Sequence, residues 1–232
     1  MGCSLSEFDK RIEKSKAEGY DQAASLETGL PFYRKKTFDP TWNSDHPETL
    51  VRWEPSGLLD QTGHAVDSGS IRGKPILLAF FFSECPDFCP MLMRNLKAVY
   101  GGLEKRNDIH FIGISVDPER DTPMKLSSYL NQLFSSQKDR KNWRLLTGTR
   151  PVIESVAKGT FAVDAFSDSK QARIVHTEKI FLMDQNGFVR KIMNGTKASL
   201  LHEIKLALDE LTPERNVGGA TPHSPSRIAA SP

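Results

Sequence analysis

The sequence is short of cysteine, of charge imbalance and of long apolar runs. No stretch of its 232 residues approaches the roughly 18 consecutive apolar residues that a membrane helix needs. That excludes an integral membrane protein for the chain as it stands, in keeping with a mean hydropathy of −0.43. Lys and Arg number 31 against 29 Asp and Glu, a formal net charge of +2. A balance this even gives no argument for nucleic acid or another polyanion as partner. Three cysteines are too few for a disulfide-built scaffold. They are also too few for a four-thiolate zinc site, though mixed Cys/His sites stay open. No internal repeat is present. A complete signal peptide is missing too, because Met1-Gly2-Cys3 is followed by neither a basic nor an apolar region.

What is present is uneven. Residues 1–55 read as a polar arm, with Phe32, Phe38 and Trp42 as candidates to anchor it. Residues 56–211 carry recurring apolar runs between turn signals and read as one domain. Residues 212–232 hold Pro213, Pro222, Pro225, Pro232 and the pair Gly218-Gly219, with almost nothing to bury, and read as a disordered tail. Gly2 and Ser6 fit a loose N-myristoylation pattern, with Cys3 as a second acylation site. Gly-Cys is also how a bacterial lipoprotein leader ends. The bland alternative is a chance Gly-Cys at an ordinary start.

Within the domain, Leu58–Asp60 and Ala65–Val66 flank a turn that holds His64, a plausible hairpin. The run at 75–82 (PILLAFFF) is continuous apolar text, the mark of a strand buried on both faces. Leu92, Leu96, Val99 and Leu103 follow at helical spacing. Residues 109–116 (IHFIGISV) predict a second buried strand. Thr122 and Pro123 then open a helix to about Phe134, as N-cap and first helical residue. A strand at 143–147 and a short helix at 152–158, closed by Gly159, come next. Strands at 179–184 and 188–193 are joined through Asn186-Gly187, the strongest short hairpin signal. A last helix carries Leu201, Ile204, Leu208 and Leu211, and Pro213 stops it. Buried strands joined by helices imply a parallel core with right-handed crossovers. The order is that of a thioredoxin-like α/β fold in three layers: a central mixed sheet, an N-terminal hairpin extension, and a C-terminal hairpin plus helix.

The chemistry sits at Ser83-Glu84-Cys85-Pro86-Asp87-Phe88-Cys89-Pro90, where a buried strand turns into a helix. Pro90 at the first helical position would make Cys89 the N-cap. There the free backbone N–H groups and the helix dipole favour a thiolate. The loop leaves the C-terminal end of a central strand, where open α/β sheets place their ligands. Two thiolates serve redox chemistry or hold a soft metal. Thiol–disulfide oxidoreductases of this fold have two intervening residues, and here there are three. Cu(I) takes few ligands and prefers thiolate and imidazole, so a third donor is sought among six histidines. His46 and His223 lie in the arm and the tail. His64 is a turn residue, His110 starts a strand at the far end, and His202 is on the last helix. His176 lies just before the strand at 179–184, whose entering loop runs beside the Cys loop in a thioredoxin-like sheet.

Four segments together resemble the Sco/SenC family, over roughly residues 58–211. They are Cys-Pro-Asp-Phe-Cys-Pro, the Ile114–Pro123 stretch ISVDPERDTP, Trp143–Gly148 (WRLLTG) and His176-Thr177, in the family's order. The resemblance implies a thioredoxin-like fold and copper bound by Cys85, Cys89 and His176, as Cu(I) with Cu(II) as an alternative. It implies delivery to the dinuclear copper centre of cytochrome c oxidase, or thiol reduction in its assembly. The implied partners are the copper-bearing oxidase subunit or another cuproprotein, and a thioredoxin-like reductant. The implied place is outside the cytoplasm, in the periplasm or cell envelope, with Cys3 as a conjectured lipid tether. The family often has Asp before the histidine, where this chain has Val175.

The remaining features take plainer readings. Asp117-Pro118 and Thr122-Pro123 read as a turn and a helix start rather than chemistry. Asp87 shapes the Cys loop, and Met91 and Met93 are packing. Arg94, Lys97, Lys105 and Arg106 are a solvated face. A peroxiredoxin-like peroxidase would need a single activated cysteine, against which the paired thiols argue. The reading is a copper-binding assembly factor, with a thiol–disulfide oxidoreductase cycling Cys85 and Cys89 as the alternative.

Overall fold

The computed structural model describes residues 29–103, 108–136, 140–163 and 177–211. Along the chain the strands and helices are Phe32–Tyr33 (β1), Pro40–Thr41 (β2), Leu58–Asp60 (β3), Ala65–Val66 (β4), Ile76–Phe81 (β5), Cys89–Gly102 (α1), His110–Ser115 (β6), Pro123–Leu133 (α2), Trp143–Gly148 (β7), Arg150–Glu154 (α3), Lys179–Met183 (β8), Val189–Asn194 (β9) and Leu200–Leu211 (α4).

The apolar run at 75–82 becomes β5, buried at every position. It sits inside a seven-stranded sheet of order β4-β3-β7-β6-β5-β8-β9. Strands β5, β6 and β7 run parallel, and β3 and β8 join antiparallel on either side. The result is the mixed-sheet, thioredoxin-like α/β fold, with its β3–β4 and β8–β9 hairpins where the turn residues placed them. Gly187, at φ 80°, takes the left-handed position in the β8–β9 turn.

From β5 the chain steps through α1 to β6 and through α2 to β7, always in one direction, then reverses to set β8 beyond β5. Right-handed crossovers in one direction keep their helices on one face, and a reversal sends the next connection to the other. The contacts agree. Phe81 packs on Tyr129 of α2, ring centroids 5.5 Å apart. Its neighbour Phe80 points the other way and meets Phe161, also at 5.5 Å. Trp53 and Phe181 complete that second cluster at 6.3 and 4.7 Å from Phe161. Truncating Phe161 to Ala would cost about 3–5 kcal/mol.

The helix after β7 differs from its predicted span of 152–158. It begins at Arg150, with Pro151 in its first turn, where a missing N–H costs nothing. It continues as a π turn over Ser155–Thr160, so Gly159 lies inside it. The arm also differs from a loose polar segment. Leu30, Leu50, Val51 and Trp53 are buried, and Val189 N donates to the Val51 carbonyl at 3.0 Å. Phe32 meets Phe188 edge-on at 5.6 Å, beneath the Arg190 guanidinium. Phe38 packs half-buried on the core. Trp42 anchors nothing in the core: it stays 39% exposed and donates from Nε1 to the Gly29 carbonyl. The tail at 212–232 lies outside the described residues.

At the end of β9, Gly195 permits close approach. A Cβ there would stand 2.1 Å from Leu92 Cδ1 and 2.7 Å from Ile180 Cδ1. That contact seats β9 against α1, alongside the buried Leu200, Ile204, Ala207 and Leu208 of α4. Among the described residues no helix is long and apolar enough to cross a membrane.

Candidate metal centre

Reversal of strand order beside β5 opens a crevice at that strand's C-terminal end. The chain leaves β5 there through Phe82 and Ser83 and re-enters helix at Cys89. Both cysteines of the motif are free thiols, Cys85 7% exposed and Cys89 1%. They hydrogen bond one another. Cys89 is not the helix cap. Phe88 holds that place, already in the helical region at φ −94°, ψ −12°, with no side-chain cap bond. Cys89 is therefore the first residue of α1 and Pro90 the second.

Burial overturns the expected thiolate at Cys89. The dipole and the neighbouring N–H groups favour the anion, but loss of water around the sulfur outweighs them. Burial first, and then the hydrogen bond that the Cys89 thiol gives to Cys85, push the Cys89 thiol up to about 12. In the metal-free protein Cys89 is protonated at neutral pH.

A buried carboxylate just ahead of α2 holds this loop. Asp121, 1% exposed, accepts from Ser83 N at 2.9 Å, from Ser83 Oγ, and from Ser115 Oγ at 2.5 Å. It joins the ends of β5 and β6 to the start of α2. Its own backbone is fixed by Asp121 N donating to the Asp117 carbonyl at 2.8 Å. Thr122 caps α2 as predicted, accepting from Lys125 N at 3.3 Å. Outside, Lys125 Nζ pairs with Glu84 Oε1 at 2.8 Å, and Arg120 Nε with Asp117 Oδ2 at 2.6 Å.

Tyr129, to which the motifs do not point, also faces this site. Its hydroxyl is pushed up to about 12, by burial first and then by the Cys89, Asp121 and Cys85 charges. It therefore lies within electrostatic reach of both thiols. The signal in the sequence was its place three residues after Leu126, on the buried stripe of α2. Of the two methionines read as packing, Met93 is buried and Met91 is 40% exposed.

The described histidines stand elsewhere. His46 pairs with Glu48 at 3.4 Å, and His64 Nδ1 bonds Thr62 Oγ1 at 2.7 Å in the β3–β4 turn. His110 pairs with Ile76 at the opposite end of β5. His202 lies exposed on α4. Among the described residues no group of three His, Cys, Asp or Glu able to hold a metal forms. His176, His223 and Cys3 lie outside the described residues. The chain that follows His176 enters β8 at Lys179, and Ile180 pairs with Ala79. So β8 begins at the end of the sheet from which the Cys loop emerges.

Two buried, soft thiol donors in mutual contact fit Cu(I) well and hard oxygen-seeking cations badly. The same pair can close into a disulfide. Comparison with known proteins adds the family. The model of the SCO1/SenC family matches residues 48–208.

The chain belongs to the SCO1/SenC family.

Relatives in that family agree in sequence and in shape. The SCO2-like protein of Rickettsia typhi is 32% identical over 135 residues, 56% of this chain and 64% of that protein. This chain thus spans less than two thirds of that relative's length. The solved structure of Bradyrhizobium japonicum ScoI with copper bound is 30% identical, with TM-score 0.57, covering 70% of this chain and 99% of that one. BsSco, a Sco-family cytochrome c oxidase assembly protein in which a disulfide switch was identified, is 27% identical with TM-score 0.55. It covers 68% of this chain and 94% of that one.

Proposed function

We propose that this Sco-family domain binds copper through the Cys85 and Cys89 thiolates with His176 as third donor. It delivers that copper to the dinuclear copper centre of cytochrome c oxidase, outside the cytoplasm. The observation that carries the reading is the pair of buried, free thiols in mutual contact at the mouth of the sheet. A relative of the same fold, solved with copper bound, supports the choice of metal. The register of β8 against β5 supports His176, which stands three residues before Lys179.

Copper here is cargo. Cys89 and Cys85 replace their protons by the metal, the low-dielectric wall of β5 and α1 keeps water from the sulfurs, and release requires only that a partner's donors replace them. The recipient is the copper-bearing oxidase subunit or another cuproprotein with thiolate or imidazole donors.

A second reading has its own support, because thiols in hydrogen-bond contact need little movement to form a disulfide. In that reading the Cys85–Cys89 dithiol reduces an oxidase disulfide to two thiols and is itself oxidised to a disulfide, which a thioredoxin-like reductant returns to the dithiol. Cys85, the more exposed sulfur, is the attacking group, and buried Cys89 resolves.

Copper titration of the reduced protein separates the readings. Wild type takes up one Cu(I). Cys85→Ser and Cys89→Ser lose tight binding, and His176→Ala is weakened. Equal affinity for His176→Ala and wild type would remove the third donor. No tight Cu(I) binding by wild type would leave the thiol reading.

A further inference from the structure

We propose that Asp121 is a positioning residue for the thiol pair, so that the Asp117–Thr122 turn sets the copper affinity from a distance. The inference rests on the copper reading above and adds a residue to it.

The two sulfurs are held by independent anchors. Cys89 is fixed in the first turn of α1, and that turn closes through Leu92 N to the Phe88 carbonyl at 2.8 Å. Cys85 is fixed by where the chain leaves β5. Ser83, two residues earlier, gives both its polar hydrogens to Asp121, the N–H at 2.9 Å and the hydroxyl to the other oxygen. The remaining bond, from Ser115 Oγ at 2.5 Å, ties the same carboxylate to the end of β6. A carboxylate accepts up to about four such bonds, and three here come from two strands. The clamp thus fixes the exit direction of the strand that carries Cys85. The separation of the sulfurs follows from that direction and from the fixed start of α1.

A two-thiolate metal site depends on that separation, and outer partners that orient ligands shift metal affinity by about 10–100-fold when removed. The exposed Glu84–Lys125 pair also links the loop to α2, but a solvated ion pair holds geometry weakly. Asp184 provides a matched control. It is a similarly buried carboxylate, 6% exposed, and it accepts from Asn186 N, Phe188 N and Arg190. It follows Met183, which pairs with Ile76 at the other end of β5.

The test compares the full chain carrying Asp121→Asn, Asp121→Ala, Ser83→Ala, Glu84→Gln and Asp184→Asn. Three quantities are read: Cu(I) affinity by competition with a coloured chelator, the midpoint potential of the Cys85–Cys89 couple, and Tm. Asp121→Asn keeps one acceptor for Ser83 N and turns the other into a donor. It weakens Cu(I) about threefold to tenfold, and Asp121→Ala tenfold or more. Ser83→Ala, which keeps the N–H, gives an intermediate loss. Asp184→Asn lowers Tm by a similar amount to Asp121→Asn but leaves Cu(I) affinity within about twofold and the thiol potential unmoved, as does Glu84→Gln.

If Asp121→Asn and Ser83→Ala bind Cu(I) within twofold of wild type and leave the thiol potential unmoved, the clamp has no such role. An equal loss in Asp184→Asn would make the effect one of general stability, and would overturn the proposal too. Should wild type itself fail to bind Cu(I), the copper reading falls. The clamp then stands or falls on whether the Asp121 variants alone shift the thiol potential.

Discussion

Copper binding by this domain should strengthen with pH and keep rising where binding by ordinary thiols would level off. The perturbation is proton concentration, and the magnitude follows from the burial of Cys89. That thiol, pushed from an ordinary 9.0 up to about 12, still carries its proton at pH 9 and must release it when Cu(I) binds. Each proton released raises the apparent binding constant about tenfold per pH unit, until pH passes the group's own value. From pH 7 to pH 10 Cys89 alone contributes roughly a thousandfold, against about a hundredfold for a thiol at its ordinary value. The window between pH 9 and 10 discriminates best. There the logarithm of the binding constant should climb with a slope of about one or more. Two unperturbed thiols together give about one half. The assay is chelator competition across that range, corrected for the chelator's own protonation. A slope of about one half or less would mean that Cys89 titrates as an ordinary thiol or lower, and would refute the burial argument. In the metal-free protein the sign reverses. The folded thiol holds its proton where the unfolded thiol has lost it, so stability present below 9.0 falls as pH rises toward about 12.

Three further outcomes are expected. Burial first, and then the Arg144 and Lys74 cations, push His110 down to about 4 from 6.5. The stability held above 6.5 therefore falls as pH drops toward 4, by about 1 kcal/mol after discounting for its solvent access. His110→Gln should remove that part of the acid loss in melts at pH 7 and 4.5, and an unchanged loss would contradict it. Gly195→Ala forces a methyl onto Leu92 and Ile180 and should cost about 1–3 kcal/mol, roughly 5 °C in Tm. A melt within about one degree of wild type would show that the β9–α1 contact yields freely. His176→Ala should weaken Cu(I) yet leave the rate of Cys85–Cys89 disulfide reduction unchanged, and a matching loss of both would make His176 part of the thiol chemistry.

The frame of the fold was legible because its signals are local. The run at 75–82 announces a strand buried on both faces, and Asn186-Gly187 announces a hairpin. Thr122-Pro123 announces a helix start. The misses are of another kind. Pro151 permits α3 to begin ahead of its apolar pattern, and a π turn has no residue signature that would carry it past Gly159. The cap at Phe88 depends on loop geometry rather than residue type. Cys89 was read from its place at a helix start, which favours the thiolate. Its burial, which decides the matter the other way, needs the packed sheet. Asp121 looks like turn chemistry beside Thr122-Pro123, because Ser83 lies 38 residues away and Ser115 is not recognisably polar-facing in an apolar run. Trp53 and Val51 looked like part of a polar arm because single apolar residues in polar text carry no period.

The proposed site holds one copper ion between Cys85 and Cys89 with an imidazole as third donor. X-ray absorption of the Cu(I)-loaded, reduced protein tests it most directly. Two sulfur neighbours and one nitrogen around a single copper are expected, with the nitrogen lost in His176→Ala and one sulfur lost in each Cys→Ser variant. A spectrum with one sulfur or none, or one that His176→Ala leaves unchanged, would contradict it.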